Sequence, residues 1–212
     1  MKFERIIHTD YPELKRFFEH QQYRLCVYSL PSLLCWSNDV YQPYGAAIDD
    51  DTLLVAAEFD EAHRKDRHLI MPVSRNGEFS PEELAKLLKT SGFDSYWFVP
   101  EDYIAAYPRI SDLFEIREQV GFADYIYRKD DLAELKGNKY SKKRNLIHQF
   151  QKEYVNTNRI SIEPLTPSLC SECLEFLEEW CKEHGCDKET QDDLACEKPL
   201  PSICLSISGI LM

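Results

Sequence analysis

Tyr44-Gly-Ala-Ala-Ile-Asp-Asp-Asp-Thr-Leu-Leu-Val-Ala-Ala57 places two runs of strand type, Tyr44–Ile48 and Thr52–Ala57, on either side of three consecutive aspartates. Aspartate tolerates turn conformations and hydrogen-bonds its own backbone, so the stretch reads as a β-hairpin. Three adjacent acids at a hairpin tip point in different directions, which favours a solvated turn over a cation site. Upstream, Phe3–Ile7 reads as a short strand. Tyr11–His20 follows as a helix with Asp10 as its cap and Pro12 in the first turn, and Ser29–Trp36 as a short helical turn with Ser29 capping and Pro31 early. Trp36 and Tyr41 have the bulk of core anchors.

Downstream, Asp60–Arg67 reads as a charged loop and Arg67–Val73 as a strand that Pro72 ends or places at an edge. Ser80-Pro-Glu-Glu opens a helix whose Leu84, Leu87 and Leu88 face inward until Gly92 stops it. Ser95–Val99 is strand-like, Glu101–Tyr107 a short helix after Pro100, and residues 114–128 two strands around Gly121. Arg159–Glu163 reads as a strand, and Pro167–Glu183 as a helix capped by Thr166. This order predicts an α/β (mixed α+β) protein.

The chain has 212 residues and a net charge of −12, yet Lys136–Lys152 carries six Lys or Arg and no Asp or Glu. An acidic protein thus gathers a cationic field in one place. Residues 139–155 read as an amphipathic helix with Asn138 or Ser141 at its first turn. At 100° per residue, Tyr140, Lys143, Ile147, Phe150 and Tyr154 share a stripe expected to face a core, with Lys143 near its middle. Two readings stand side by side. One is a solvated basic helix with its ammonium groups in water or against carboxylates. The other is a site for a phosphate or carboxylate at Lys139, Lys142, Lys143, Arg144, Asn145 and His148, near helix N–H groups that add positive potential.

Eight cysteines invite a zinc or disulfide reading. Cys170, Cys173, Leu174, Leu177 and Cys181 repeat at three and four, the spacing of a buried helix face, and this is favoured over a zinc site drawing on His184, Cys186 and Cys196. No metal is therefore expected. The charged start Lys2-Phe-Glu-Arg resembles neither a secretory signal nor a transit peptide, and no apolar run is long enough to span a bilayer, so the expected location is the cytoplasm. The acidic balance argues against a DNA-coating role, although a local basic helix can grip a phosphate backbone.

Asp124-Tyr-Ile-Tyr127, Asp131-Leu-Ala-Glu-Leu-Lys-Gly137, Lys142-Lys-Arg-Asn145 with Phe150 and Tyr154, and Ile162-Glu-Pro-Leu165 together resemble the cytosolic proteins related to the C-terminal domain of bacterial phosphatidylglycerol lysyltransferase. Weaker support comes from Ser29–Tyr44, from Glu179-Trp-Cys181 and from Asp193-Leu-Ala-Cys-Glu197. The resemblance implies tandem acyltransferase folds of the GNAT type. One complete domain would span residues 1–155, ending in the basic helix, and the opening of a second would span 156–198. It also implies aminoacyl or acyl transfer to a lipid or other acceptor, with aminoacyl-tRNA or acyl-CoA as donor substrate, an anionic phospholipid as possible acceptor, and no resident cofactor. In such chemistry an amine or hydroxyl attacks an ester carbonyl, which needs orientation and oxyanion stabilisation rather than a covalent intermediate. Pro199–Met212 carries no charge and departs from the family pattern, as a frame-shifted tail would. On that reading the chain is a truncated and inactive member. The alternative is a non-enzymatic module that binds RNA or a phospholipid headgroup through residues 139–152.

Overall fold

The computed structural model describes residues 1–37, 41–61 and 64–184. The tail 199–212, the Asp193–Glu197 motif, Cys186 and Cys196 lie outside the described residues, as does the side chain of His184. The chain divides into two compact units, Met1–Ala123 together with the chain from Thr166 onward, and Asp124–Leu165. The fold is mixed α+β.

The first unit is built on an antiparallel sheet ordered β1 (Glu4–Arg5), β2 (Tyr41–Ala47), β3 (Thr52–Glu61), β4 (Arg64–Leu69), with β5 (Val73–Ser74) also paired to β3. The aspartate tip is a turn as read. The Asp51 N–H donates to Asp49 Oδ1 at 2.9 Å, and Asp51 also meets Arg75 at 3.4 Å. Tyr44 pairs with Ala56 and Gly45 with Val55, so residues of odd number on β3 share a face with Gly45. Glycine allows a close approach there: a Cβ on Gly45 would lie 3.3 Å from Ile6 Cδ1 and 3.4 Å from Leu53 Cδ1, so those side chains would have to give way. Ile6 thereby seals one edge of a core in which Leu53, Val55 and Ile70 meet Phe17, Leu30 and Leu33 from α1 (Tyr11–Phe18) and α2 (Leu30–Cys35). Leu53 to Ala57 are fully buried, as expected of a central strand covered on both faces.

α3 (Pro81–Ser91) forms where its boundary signals lie. Ser80 Oγ accepts from the Glu83 N–H, the Glu83 carboxylate accepts from the Ser80 N–H at 2.8 Å, and Gly92 closes the helix at φ +81°. The chain then returns beside β4. Leu69 N–H donates to Ser95 O and Trp97 N–H to Leu69 O, a parallel bridge of Leu69 with Tyr96. The ladder goes no further, because Phe98 adopts φ +57°. A buried tyrosine takes over instead: Tyr28 Oη accepts from the Met71 N–H at 3.3 Å and donates to Phe98 O at 3.0 Å. Ser95–Val99 is therefore a single bridge rather than the full strand expected, followed by α4 (Glu101–Ala106).

Several expectations need correction. The charged loop at 60–67 is a strand pair, with β3 and β4 in register from Ala56 opposite Leu69 to Glu61 opposite Arg64 and Glu58 bound to Arg67 at 2.7 Å. Opposite charges facing across a ladder support strands that polarity alone hides. Residues 114–128 form no strands; Val120–Phe122 is a 3-10 turn and Ile116, Val120, Tyr125 and Ile126 are exposed. Arg159–Glu163 is likewise irregular. β-type side chains become strands only where a partner edge receives their backbone groups, and none pairs with them among the described residues. Asp10, Ser29 and Thr166 make no side-chain cap to the helices they precede; Asp10 instead accepts from the Ile7 N–H at 2.9 Å.

Candidate anion-binding site

Asp124–Leu165 holds nine Lys or Arg against six Asp or Glu, whereas the rest of the chain holds sixteen against thirty-one. The second unit is therefore the cationic part of an acidic protein. Two helices form it. α5 (Lys129–Glu134) ends at Leu135 with φ +48°, Gly137 turns the chain at φ +89°, and a 3-10 turn over Asn138–Tyr140 feeds α6 (Ser141–Phe150), which continues as a π turn over Gln151–Val155. The expected helix over 139–155 is thus present. Neither Asn138 nor Ser141 caps it, because Tyr140 holds the cap position without a side-chain bond. The first N–H groups of α6 are consequently left without a side-chain acceptor.

The apolar stripe behaves differently from its prediction. Tyr140 is buried and Tyr154 half-buried, but Ile147 and Phe150 are each 45% exposed, Leu146 is 65% exposed, and Lys143 faces solvent. The 42-residue unit contains no sheet on which this stripe could lie. Its far end is held locally. The Phe150 and Tyr154 rings are 5.4 Å apart, the Arg159 guanidinium sits 5.2 Å over the Tyr154 ring, and Thr157 Oγ1 donates to Glu153 O at 2.6 Å.

The six candidate residues separate into three groups. Arg144 Nη1 donates to Leu135 O and, at 2.9 Å, to Gly137 O, which satisfies carbonyls left over where α5 ends. The guanidinium thus holds the α5–α6 junction. Lys139 lies 3.5 Å from Asp131 and 4.8 Å over the Tyr140 ring; Tyr140 first, and then Asp131, raise its pKa above the ordinary lysine value, so it is fully cationic. Lys142, Lys143, Asn145 and His148 are exposed, and their side chains make no ion pair or hydrogen bond among the described residues. Lys139, Lys142 and Lys143 are spaced at three and four around the first turn, so their ammonium groups lie near the start of the helix and the positive end of its dipole. Such a turn can hold an anion by charge and by backbone donors together.

Away from this unit, Cys170, Cys173 and Cys181 lie on α7 (Cys170–His184), the first and last buried and Cys173 half-buried, which is the helix face the spacing predicted. Cys170 Sγ donates to Thr166 O at 3.7 Å. No group of three potential metal ligands occurs among the described residues, and none of their helices is long and apolar enough to cross a membrane. Sequence reasoning passed over His68, which is fully buried beside Trp97. The available signal was a histidine at the head of the apolar run Leu69-Ile-Met71, and an ordinary strand reading absorbs it.

The family model for the C-terminal region of phosphatidylglycerol lysyltransferase matches residues 22–197. No curated protein and no solved structure matches the chain.

Proposed function

Because the chain belongs to the phosphatidylglycerol lysyltransferase C-terminal family, we propose that it is an aminoacyl-transferase-like protein whose α6 first turn takes up a phosphate of its donor or acceptor. The observation that carries the reading is the grouping of Lys139, Lys142 and Lys143 beside an uncapped helix start, in the cationic unit of an acidic chain. Aminoacyl-tRNA and an anionic phospholipid both present such a phosphate. In the reaction a hydroxyl of the acceptor attacks the aminoacyl ester carbonyl, the ester bond to the tRNA breaks, and the acceptor's proton leaves with the released hydroxyl. The lysines would act by holding the phosphate and so orienting the two reactants. The strand order, with α3 leading to a parallel bridge beside β4, supports an acyltransferase fold of the GNAT type for the first unit.

Binding of deacylated tRNA, of phosphatidylglycerol vesicles and of neutral phosphatidylcholine vesicles tests the site. Lys142→Glu with Lys143→Glu should sharply weaken binding to whichever anionic partner is used, and neutral vesicles should not bind. For tRNA, loss of two phosphate contacts should lower the slope of log K against log salt by about 1.4–1.8. Unchanged binding in the double variant would reduce the helix to a solvated face. Salt-sensitive binding without aminoacyl transfer would favour the non-enzymatic module.

A further inference from the structure

His68 stands on β4 opposite Ala57, is fully buried, and has neither ring nitrogen hydrogen-bonded. A buried polar group without a partner is rare enough to need a reason. Its surroundings are aromatic: the Trp97 ring is stacked on it at 4.2 Å and 7°, Phe98 meets it edge-on at 5.7 Å, and Phe59 lies at 6.3 Å. The charged residues in register on its own face of β4 are Asp66, two positions away, and Arg64 at the start of the strand. On β3 the residues in register on that side are Ala57, Phe59 and, opposite Arg64 at the strand's end, Glu61, while Glu58 and Arg67 pair with each other on the opposite face. Trp97, Phe98, Gln119 and Phe122 carry no charge. An imidazolium in this box would have no acceptor except through water or Asp66.

The cover over this box is lightly held. Trp97 is half-buried and lies beneath Phe122, at 6.4 Å; Phe98 contacts the same ring at 5.3 Å. Residues 115–123 cross here with only the 3-10 turn at Val120–Phe122, and the Phe98 N–H donating to Gln119 Oε1 at 2.9 Å is their tie to the sheet side. Phe98 also bears a left-handed φ of +57°, a strained conformation for a bulky residue.

We propose that Trp97, Phe98 and the Gln119–Phe122 strap form a proton-operated cover over His68, closed on the neutral imidazole and displaced when the ring takes up a proton. Burial, only partly opposed by Asp66, lowers the pKa of closed His68 from 6.5 to about 4. A solvated imidazole in the open form titrates near its ordinary value, so the open form binds more protons between these limits. The sign follows: acid favours opening, and from pH 6.5 down to about 4 the open-to-closed ratio rises by about 80-fold.

The test uses the full chain with Trp36→Phe and Trp180→Phe, so that Trp97 alone emits. Between pH 7.5 and 4.5 its emission should fall and shift to the red, and the protection factor of the Phe98 amide should drop while that of Val55 holds. Gln119→Ala, which loosens the strap and leaves His68 in place, should move this transition to higher pH. His68→Phe should remove it. Flat emission and constant Phe98 protection would overturn the proposal. So would an unaltered transition in either variant, or loss of Val55 protection in step with Phe98, which would mean global unfolding.

Discussion

Replacing Tyr28 with phenylalanine removes one oxygen from the point where the sheet stops being a ladder. The ring is 1% exposed, and its hydroxyl bridges the Met71 N–H and Phe98 O, two backbone groups that would otherwise face each other across the gap beyond the Leu69–Tyr96 bridge. Burial pushes this hydroxyl well above its ordinary pKa, so it remains a donor across the neutral range. The Met71 N–H is buried and would lose its partner outright, a penalty of about 1–3 kcal/mol. Phe98 O is partly exposed and can turn to water, so its loss is nearer the net value of an ordinary hydrogen bond, about 0.5–1.5 kcal/mol. Tyr28→Phe should therefore cost about 2–4 kcal/mol, a large share of a domain's usual margin.

Tyr96→Phe and Tyr103→Phe are internal controls. Their hydroxyls donate to Leu84 O and Phe79 O and strand no buried N–H, so each should cost about 0.5–1.5 kcal/mol. Guanidinium unfolding of the three variants at equal m-value gives the comparison. A Tyr28→Phe penalty below about 1 kcal/mol, or one no larger than that of Tyr96→Phe, would refute the claim that the hydroxyl replaces a ladder rung.

Gly45→Val should destabilise the first unit by about 1–3 kcal/mol, because its branches must displace Ile6 and Leu53; chemical denaturation measures it. Ser80→Ala should cost about 1 kcal/mol through loss of the α3 cap. The Ser80 backbone N–H holds the Glu83 carboxyl below its ordinary pKa, so its support is present above the ordinary carboxylate value and fades as pH falls through the lowered one. Unfolding midpoints of Glu83→Gln against pH should lack that dependence. Arg144→Ala should reduce helical circular dichroism from the α5–α6 junction, whereas Lys142→Ala should leave the spectrum unchanged.

What the sequence made legible is what neighbouring residues decide. Ser80, Pro81, Glu83 and Gly92 state a helix with both ends marked, and the structure places α3 between them. The aspartate tip between two apolar runs is legible for the same reason. Residues 114–128 and Arg159–Glu163 carry strand-forming side chains of similar quality and form none. A strand is completed by a neighbour's backbone, and that neighbour is not written in the local sequence. Glu58 and Arg67 show the converse, since a run of charge became a ladder in which these two opposite charges meet across the pair.

The cationic unit divides along the same line. Helical period correctly groups Tyr140, Ile147, Phe150 and Tyr154 on one stripe, but it cannot say which stripe is covered, and Lys143 with Ile147 turns out to face solvent. Arg144 is instructive because its role depends on a loop nine residues earlier. Gly137 is a legible turn signal, whereas the left-handed Leu135 is not; together they aim two carbonyls at one guanidinium. Side-chain chemistry alone ranks Arg144 first for a forked grip on phosphate. The geometry assigns it to the backbone of its own unit, and the cations left for a phosphate are the lysines on either side of it.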